Sequence, residues 1–181
     1  MNILGTLVRQ LESINDFIGR AVSWLMLAVV LITFSVAIFR YGFSLGWIGL
    51  QESYLWLHGI LFTSAMGYTL VHNNHVRVDI FYRTANERYK AWVDLVGTMI
   101  FLFPTLGIVW WACYPYVILS WQRLETSREA GGLPALYLLK SFLLVLVAVL
   151  LLQGIAVIFR CILVLRGATE YAEPFDDSQM V

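Results

Sequence analysis

The sequence predicts an all-α integral membrane protein with four transmembrane helices. Of its 181 residues, 60% are apolar and only 13% are charged, whereas a soluble chain has about a quarter of its residues charged. The charged residues are absent from four windows of 19 to 28 residues: 21–39, 53–71, 95–122 and 141–159. Because a helix rises about 1.5 Å per residue, each window with its flanks spans a hydrocarbon core of about 30 Å. Barrel strands alternate in polarity, so these continuously apolar windows indicate helices.

These windows define one transmembrane domain, residues 1–166. Its spans cover about residues 21–41, 52–72, 94–119 and 134–160. The first apolar run is too long for the core of a secretion signal and is expected to remain as an anchor. Residues 167–181 form an acidic tail with little to bury, which predicts disorder.

The first twenty residues form an amphipathic arm ahead of the first span. Apolar residues recur at helical spacing, at Leu4, Leu7, Leu11, Ile14 and Ile18. The other side is polar and carries Arg9, Glu12, Asn15 and Asp16. The pattern suits a helix along the cytoplasmic interface, with its apolar stripe in lipid or against a partner subunit. It equally suits a plain extension of the first transmembrane helix.

The segments around the third span carry signals for helix ends and bends. Thr84 and Glu87 have the spacing of a capping box, which predicts a short cytoplasmic connector helix leading into the third span. Pro104 and Pro115 each remove an amide donor inside that span, so either is expected to bend it. Pro134 suits the first turn of the last helix.

The distribution of Lys and Arg predicts the orientation. With four spans, both termini and the second loop share one side, which carries eight of these residues against four on the other. The positive-inside rule therefore places the N- and C-termini in the cytoplasm. Such a bias also opposes a small exporter that inserts in both orientations.

Composition and motifs argue against several classes of function. The formal net charge is zero, so nothing indicates a nucleic-acid partner. Cys113 and Cys161 are assigned to opposite ends of different helices, without a CxxC motif, and are interpreted as packing residues. No nucleophile–base set, phosphate loop or metal-ligand cluster is recognisable. We therefore expect no enzyme, no resident metal and no cofactor.

The histidines and the intramembrane charges bear on two further classes of function: a transporter that acts alone and a haem-binding membrane protein. Within the four windows the ionisable residue is His58, so no carboxylate marks an ion-coupling site. The chain is therefore expected to move no solute alone. His58, His72 and His75 all belong to the second helix or its end, so a haem held by two histidines would need a second chain. A haem- or quinone-associated membrane anchor of a respiratory enzyme is the alternative interpretation.

The second helix carries a small-residue stripe. Gly59, Thr63 and Gly67 recur every four residues, and Glu52 and Trp56 extend the same stripe. Small residues let transmembrane backbones approach closely. The stripe fits either a subunit interface or packing inside the four-helix bundle.

Two stretches carry a family resemblance. The first runs from Gln51-Glu52-Ser53-Tyr54 to His75-Val76-Arg77-Val78-Asp79. The second contains Trp121, Glu125-Thr126-Ser127, Gly131-Gly132-Leu133-Pro134, Leu139-Lys140 and Leu152-Gln153-Gly154. Over about residues 10 to 166 the chain resembles the small membrane subunit, called DctQ, of the tripartite ATP-independent periplasmic (TRAP) transporters. It looks most similar to the branch for mannitol, chloroaromatic or 2-oxo acid uptake. The family usually has two acids where this chain has Gln51 and Glu52.

The resemblance implies a division of labour among three subunits. A large DctM-type membrane subunit binds substrate and sodium and moves as an elevator, and a periplasmic DctP-type protein delivers the substrate. The small subunit braces the stationary scaffold among membrane lipids.

Two groups of candidate contact residues follow from this division. The candidate interface with the large subunit comprises Glu52, Trp56, Gly59, Thr63, Gly67, His75, Arg77 and Asp79. The candidate periplasmic docking surface comprises Trp121, Arg123, Glu125 and Lys140. The alternatives are bland surface solvation for Arg77 and Asp79, and simple interfacial anchoring for the docking group.

Overall fold

The computed structural model describes residues 3–73, 85–168 and 171–172, and these form five α-helices with no strand among them. The helices are α1 Ile3–Gly42, α2 Ile48–Val71, α3 Glu87–Gly97, α4 Phe103–Gln122 and α5 Leu136–Leu165. One π turn, Thr98–Leu102, joins α3 to α4. The predicted all-α class is therefore confirmed.

Three continuous helical segments are long and apolar enough to cross a membrane, judged by length and composition. They are α1, the run Glu87–Gln122 and α5. The 24-residue helix α2 is not among them, and it carries His58, Thr63 and Ser64 between its apolar residues. That the chain has four membrane spans therefore stays a prediction.

The N-terminal arm is the first half of α1. Because α1 is one helix of 40 residues, about 60 Å long, no break separates residues 1–20 from the first span. Of the two interpretations, the plain extension describes this helix. Val8 and Asn15 are buried, whereas Leu7 and Ile14 are exposed. The face buried against the other helices thus combines apolar Val8 with polar Asn15, and the exposed residues include charged Arg9 as well as Leu7 and Ile14.

The third predicted span continues from the predicted connector without interruption. Helix α3 begins at Glu87, with Asn86 as its N-cap residue and no side-chain cap hydrogen bond. The capping box predicts Thr84 as the N-cap, with Glu87 three residues further on, so the helix starts two residues later than predicted. Thr84 lies outside the described residues. The π turn ends at Leu102, two residues before Pro104. Proline has no amide hydrogen and its ring clashes with the preceding turn, so the wider turn accommodates it.

Helix α5 is the centre of the fold because every other helix packs against it. Helices α1, α2 and α5 also pack against one another, whereas α3 and α4 pack mainly on α5.

The predicted start of helix α5 is wrong. Pro134 lies before α5, because Ala135 has a left-handed backbone with φ 70° and ψ 38°, which a right-handed helix cannot include.

The described part of the tail is packed, which differs from the predicted disorder. Ala172 belongs to an apolar cluster with Ala91, Cys161 and Val164. A Cβ added to Gly5 would overlap the hydroxyl of Tyr171, so the tail touches the start of α1. Residues 169–170 and 173–181 lie outside the described residues.

Candidate functional site

Four polar side chains from α1 and α5 meet inside the helix group: Glu12, Asn15, Gln153 and Arg160, named here the polar junction. Asn15 Nδ2 donates hydrogen bonds to the carbonyl oxygen of Val149, at 3.2 Å, and to Gln153 Oε1, at 3.1 Å. Asn15 is 1% exposed and Gln153 is 0% exposed. The Arg160 guanidinium donates to the Glu12 carboxylate. Two polar contacts along one helix pair therefore hold α1 and α5 in a single register.

Two glycines let α1 and α2 approach each other beside the polar junction. A Cβ added to Gly67 would lie 2.6 Å from Asn15 Oδ1. A Cβ added to Gly19 would overlap the Cβ and ring of Tyr68. These contacts are closer than any ordinary side chain permits, so the α1–α2 crossing requires glycine at both positions.

The small-residue stripe of α2 makes contacts within the chain. Besides Gly67 against Asn15, a Cβ on Gly59 would lie 3.4 Å from Leu139 Cδ1 on α5. The Thr63 hydroxyl donates to the carbonyl of Gly59 at 2.8 Å, so it is satisfied within its own helix. Gly59 and Gly67 thus pack within the chain, and their role in an interface with the large subunit stays a prediction.

A second polar contact extends from the polar junction to the end of α2. His72 Nε2 lies 2.9 Å from Asp16 Oδ1, and Arg20 Nε lies 2.7 Å from Asp16 Oδ2. The rings of Tyr68 and His72 have centroids 4.3 Å apart. The exposed ion pair of Arg20 with Asp16 contributes about 0–1 kcal/mol to stability. The contact of Asp16 with His72 therefore mainly orients the end of α2 relative to α1.

The opposite end of the molecule is organised by Glu52 of α2 and the α4–α5 loop, residues 123–135. The backbone amide of Leu133 donates to Glu52 Oε2 at 2.6 Å, and the Ser127 hydroxyl donates to Glu52 Oε1. A Cβ added to Gly132 would overlap Ser127 and crowd this carboxylate. Glu52 therefore holds the loop against the start of α2.

Glu125 links the same loop to both α4 and α5. Its carboxylate accepts hydrogen bonds from the Ser120 hydroxyl, at 2.7 Å, and from the Lys140 ammonium. Leu124, with φ 44°, makes the left-handed turn that ends α4 and brings Glu125 back onto it. The hydrogen bond from Lys140, and then that from Ser120, lower the pKa of the Glu125 carboxyl below its ordinary 4.5.

Aromatic contacts complete this end of the molecule. The Trp121 indole donates to the Ser141 hydroxyl at 2.8 Å, and its ring lies 4.7 Å from that of Tyr137, edge to face. The Lys140 ammonium lies 4.0 Å from the centre of the Tyr116 ring. Cation–π and edge-to-face contacts of this kind add about 0.5–1.5 kcal/mol each. These contacts therefore hold helices α4 and α5 together near the α4–α5 loop.

Removing the Glu52 carboxylate is expected to loosen the α4–α5 loop. In Glu52→Ala the Leu133 amide and the Ser127 hydroxyl lose their acceptor, at a cost of about 1–3 kcal/mol. Amide hydrogen exchange across residues 123–135 should then accelerate by about tenfold or more. The control is Glu129→Ala, an exposed carboxylate in the same loop. Equal exchange rates in both variants would contradict this role of Glu52.

The contact of Glu125 with Lys140 is expected to fail in acid. Because the pKa of Glu125 is lowered on folding, its stabilising effect is complete above the unfolded value of 4.5 and is lost as the pH falls through the lower folded value. The protection of the loop amides, taken relative to the intrinsic exchange rate at each pH, should therefore fall below about pH 4.5. Glu125→Gln should abolish that pH dependence, and its persistence there would assign it to another group.

The predicted contact residues fall into three groups in the structure. Trp121, Glu125, Lys140 and Glu52 are bonded within the chain, whereas Arg123 is exposed and Trp56 is half-buried. His75, Arg77 and Asp79 lie outside the described residues. The sequence did not predict the polar junction, because Glu12 and Arg160 lie outside the charge-free windows and Asn15 and Gln153 carry no charge. Gln153, alone among leucines, valines and alanines, was the available signal.

These observations first define a class of protein. Long apolar helices point large side chains outwards, such as Trp24, Phe34, Phe101 and Trp111, while polar side chains pair inside. This inside-out arrangement is that of an integral membrane protein without an extended soluble domain among the described residues.

The comparisons with known proteins then identify the family. The model for "Tripartite ATP-independent periplasmic transporters, DctQ component" matches residues 21–164. The chain therefore belongs to the DctQ family. Members of this family are transporter components and not enzymes. The family works with the DctM and DctP components of TRAP transporters. No curated protein and no solved structure matches the chain. The predicted resemblance is thus confirmed for the family.

Proposed function

We propose that this chain is the small scaffold subunit of a sodium-coupled TRAP transporter in a bacterial inner membrane. It braces a large DctM-type elevator subunit during uptake of an organic acid that a periplasmic DctP-type protein delivers. The observation that carries the proposal is the family match over residues 21–164. The resemblance to the mannitol, chloroaromatic or 2-oxo acid branch is the basis for proposing an organic acid.

The internal contacts support a role as a rigid brace. The carboxylates of Glu12, Glu52 and Glu125 are each bonded to donors of this same chain. One contact lies at the polar junction and two lie at the α4–α5 loop, so the helices are tied together near both ends. A support for a moving partner needs such a fixed geometry, because flexing of the support would absorb the displacement.

We further propose that α2 is the fourth span and that both termini face the cytoplasm. Helix α2 has 24 residues and is therefore about 36 Å long, enough to cross the hydrocarbon core. The excess of Lys and Arg on the side of the termini supports the orientation. The exposed faces of α1 and α4 then contact membrane lipids or the large subunit.

Of the four predicted docking residues, we propose one as a direct contact and three as supports of the docking surface. Arg123 is the exposed member of the periplasmic group and remains a candidate contact for the binding protein. The bonded residues Trp121, Glu125 and Lys140 would shape the docking surface by holding the α4–α5 loop. Arg77 and Asp79 remain candidate cytoplasmic contacts on the evidence of the sequence.

Coexpression with the large subunit tests the proposed function. The tagged chain should copurify with a DctM-type protein, and liposomes containing both should accumulate an organic acid when sodium and the periplasmic protein are supplied. Asp79→Ala should lower the copurified fraction, with Asp176→Ala as the control. Accumulation by the lone chain, or a haem absorption band in the purified sample, would overturn the proposal.

A further inference from the structure

His58 is an ionisable side chain on α2 that makes no hydrogen bond or ion pair within the described part of the chain. Its ring is exposed. The other ionisable groups near the spans behave differently, since Glu52 and Lys140 are bonded at one end and Glu12 and Arg160 at the other. His58 differs from these four residues in being an ionisable group inside a predicted span that no described residue of the chain bonds.

The ring belongs to a well-defined outward surface of α2. Leu55 and Phe62 are each 57% exposed and lie three residues before and four after His58, so all three share one side of the helix. The opposite side carries the buried residues Ser64 and Gly67, with Gly67 packed on Asn15 of α1. We call Leu55, His58 and Phe62 the His58 face.

The His58 face lies below the membrane surface of the proposed arrangement. Six residues separate His58 from Glu52, the residue that holds the α4–α5 loop, which corresponds to about 9 Å along the helix. Lipid tails at that depth offer no hydrogen-bond partner, so exposing an imidazole to them is costly. Thr33, an exposed polar residue of α1, avoids this cost because its hydroxyl donates to the carbonyl of Val29 at 2.7 Å.

We propose that the His58 face docks against the large membrane subunit, and that a polar group of that subunit hydrogen-bonds the His58 ring. The inference rests on the proposed function, which supplies a membrane partner of the DctM type. Hydrogen bonds across transmembrane helices orient subunits as well as attach them. Leu55 and Phe62 provide the apolar contact on either side of the ring. The docking surface is thus the side of α2 opposite to Gly67.

Photocrosslinking in the coexpressed complex tests this surface directly. A benzoylphenylalanine at position 55, 58 or 62 should crosslink to the large subunit. The matched control is position 34 on α1, where Phe34 is 64% exposed and is expected to react mainly with lipid. Crosslinks from the His58 face to lipid alone, or to a second copy of this chain, would overturn the inference.

Substitution separates the hydrogen bond from simple packing. His58→Phe should lower the copurified fraction of the large subunit by about threefold to twentyfold, the range for hydrogen bonds between membrane helices. His58→Gln keeps a donor and an acceptor and should restore most of that fraction, whereas Phe34→Leu should leave it unchanged. An unaffected His58→Phe complex would refute the hydrogen bond.

These outcomes also distinguish the inference from the function on which it rests. If the unmodified chain fails to copurify with the large subunit, the proposed function falls and this inference with it. If the complex forms and takes up solute while the His58 face crosslinks elsewhere, the inference alone is wrong.

Discussion

Replacing Arg160 by methionine is expected to destabilise the folded chain by about 3–5 kcal/mol, because it leaves the Glu12 carboxylate buried without its partner. The two side chains are 11% and 18% exposed and pair directly between α5 and α1. The loss should appear as a lower midpoint of thermal unfolding in detergent, followed by tryptophan fluorescence. The same change should weaken packing of the first half of α1.

The control for this result is Arg166→Met, which removes an exposed arginine from the end of the same helix and should change stability by less than about 0.5 kcal/mol. The double variant Glu12→Leu with Arg160→Met should recover most of the lost stability, since replacing both partners of a buried pair is often neutral. A double variant as unstable as Arg160→Met alone would show that packing, rather than the unpaired charge, causes the effect.

Replacing Gly19 by leucine is expected to separate α1 from α2. Even the Cβ of a new side chain would overlap the Cβ and ring of Tyr68, and the Cβ is attached directly to the backbone. The helices must therefore move apart, at a cost of about 3 kcal/mol. Proteolysis should then cleave α1 more readily, and the unfolding midpoint should fall.

Gly107→Leu is the matched control, because a Cβ at this helical glycine of α4 meets nothing within 4 Å. The substitution removes a residue of low helix propensity, so stability should hold or rise slightly. If Gly19→Leu and Gly107→Leu unfold at the same temperature, the close α1–α2 crossing is contradicted.

The sequence predicted the helices well because charge placement governs them directly. Stretches without charge exclude water-exposed structure, so the predicted span 21–41 lies within α1, and all but the first two residues of the predicted span 134–160 lie within α5. The capping box also predicted a helix near Glu87, although that helix starts two residues later than the box implies. Pro134 was misplaced because the helix start depends on the backbone angles of Ala135, to which its residue type gives no clue.

The candidate contacts were predicted less well, since one residue type serves either an internal or an external partner. Glu52 and Lys140 are charged residues near helix ends, which fits docking to another protein as well as bonding within the chain. The structure shows bonding within the chain. His58 shows the converse, because the sequence allowed a packed residue and the ring is exposed.

What the sequence by itself determined is the class of protein, since the amounts of apolar and charged side chain decide which solvent the chain can tolerate. What only the tertiary structure decided is which face of each helix turns inward. The arm shows this most clearly, because Asn15 of its polar side is buried, whereas Leu7 and Ile14 of its apolar stripe are exposed. Helical periodicity identifies two faces, but only contacts with α2 and α5 determine which of them meets protein and which meets the membrane.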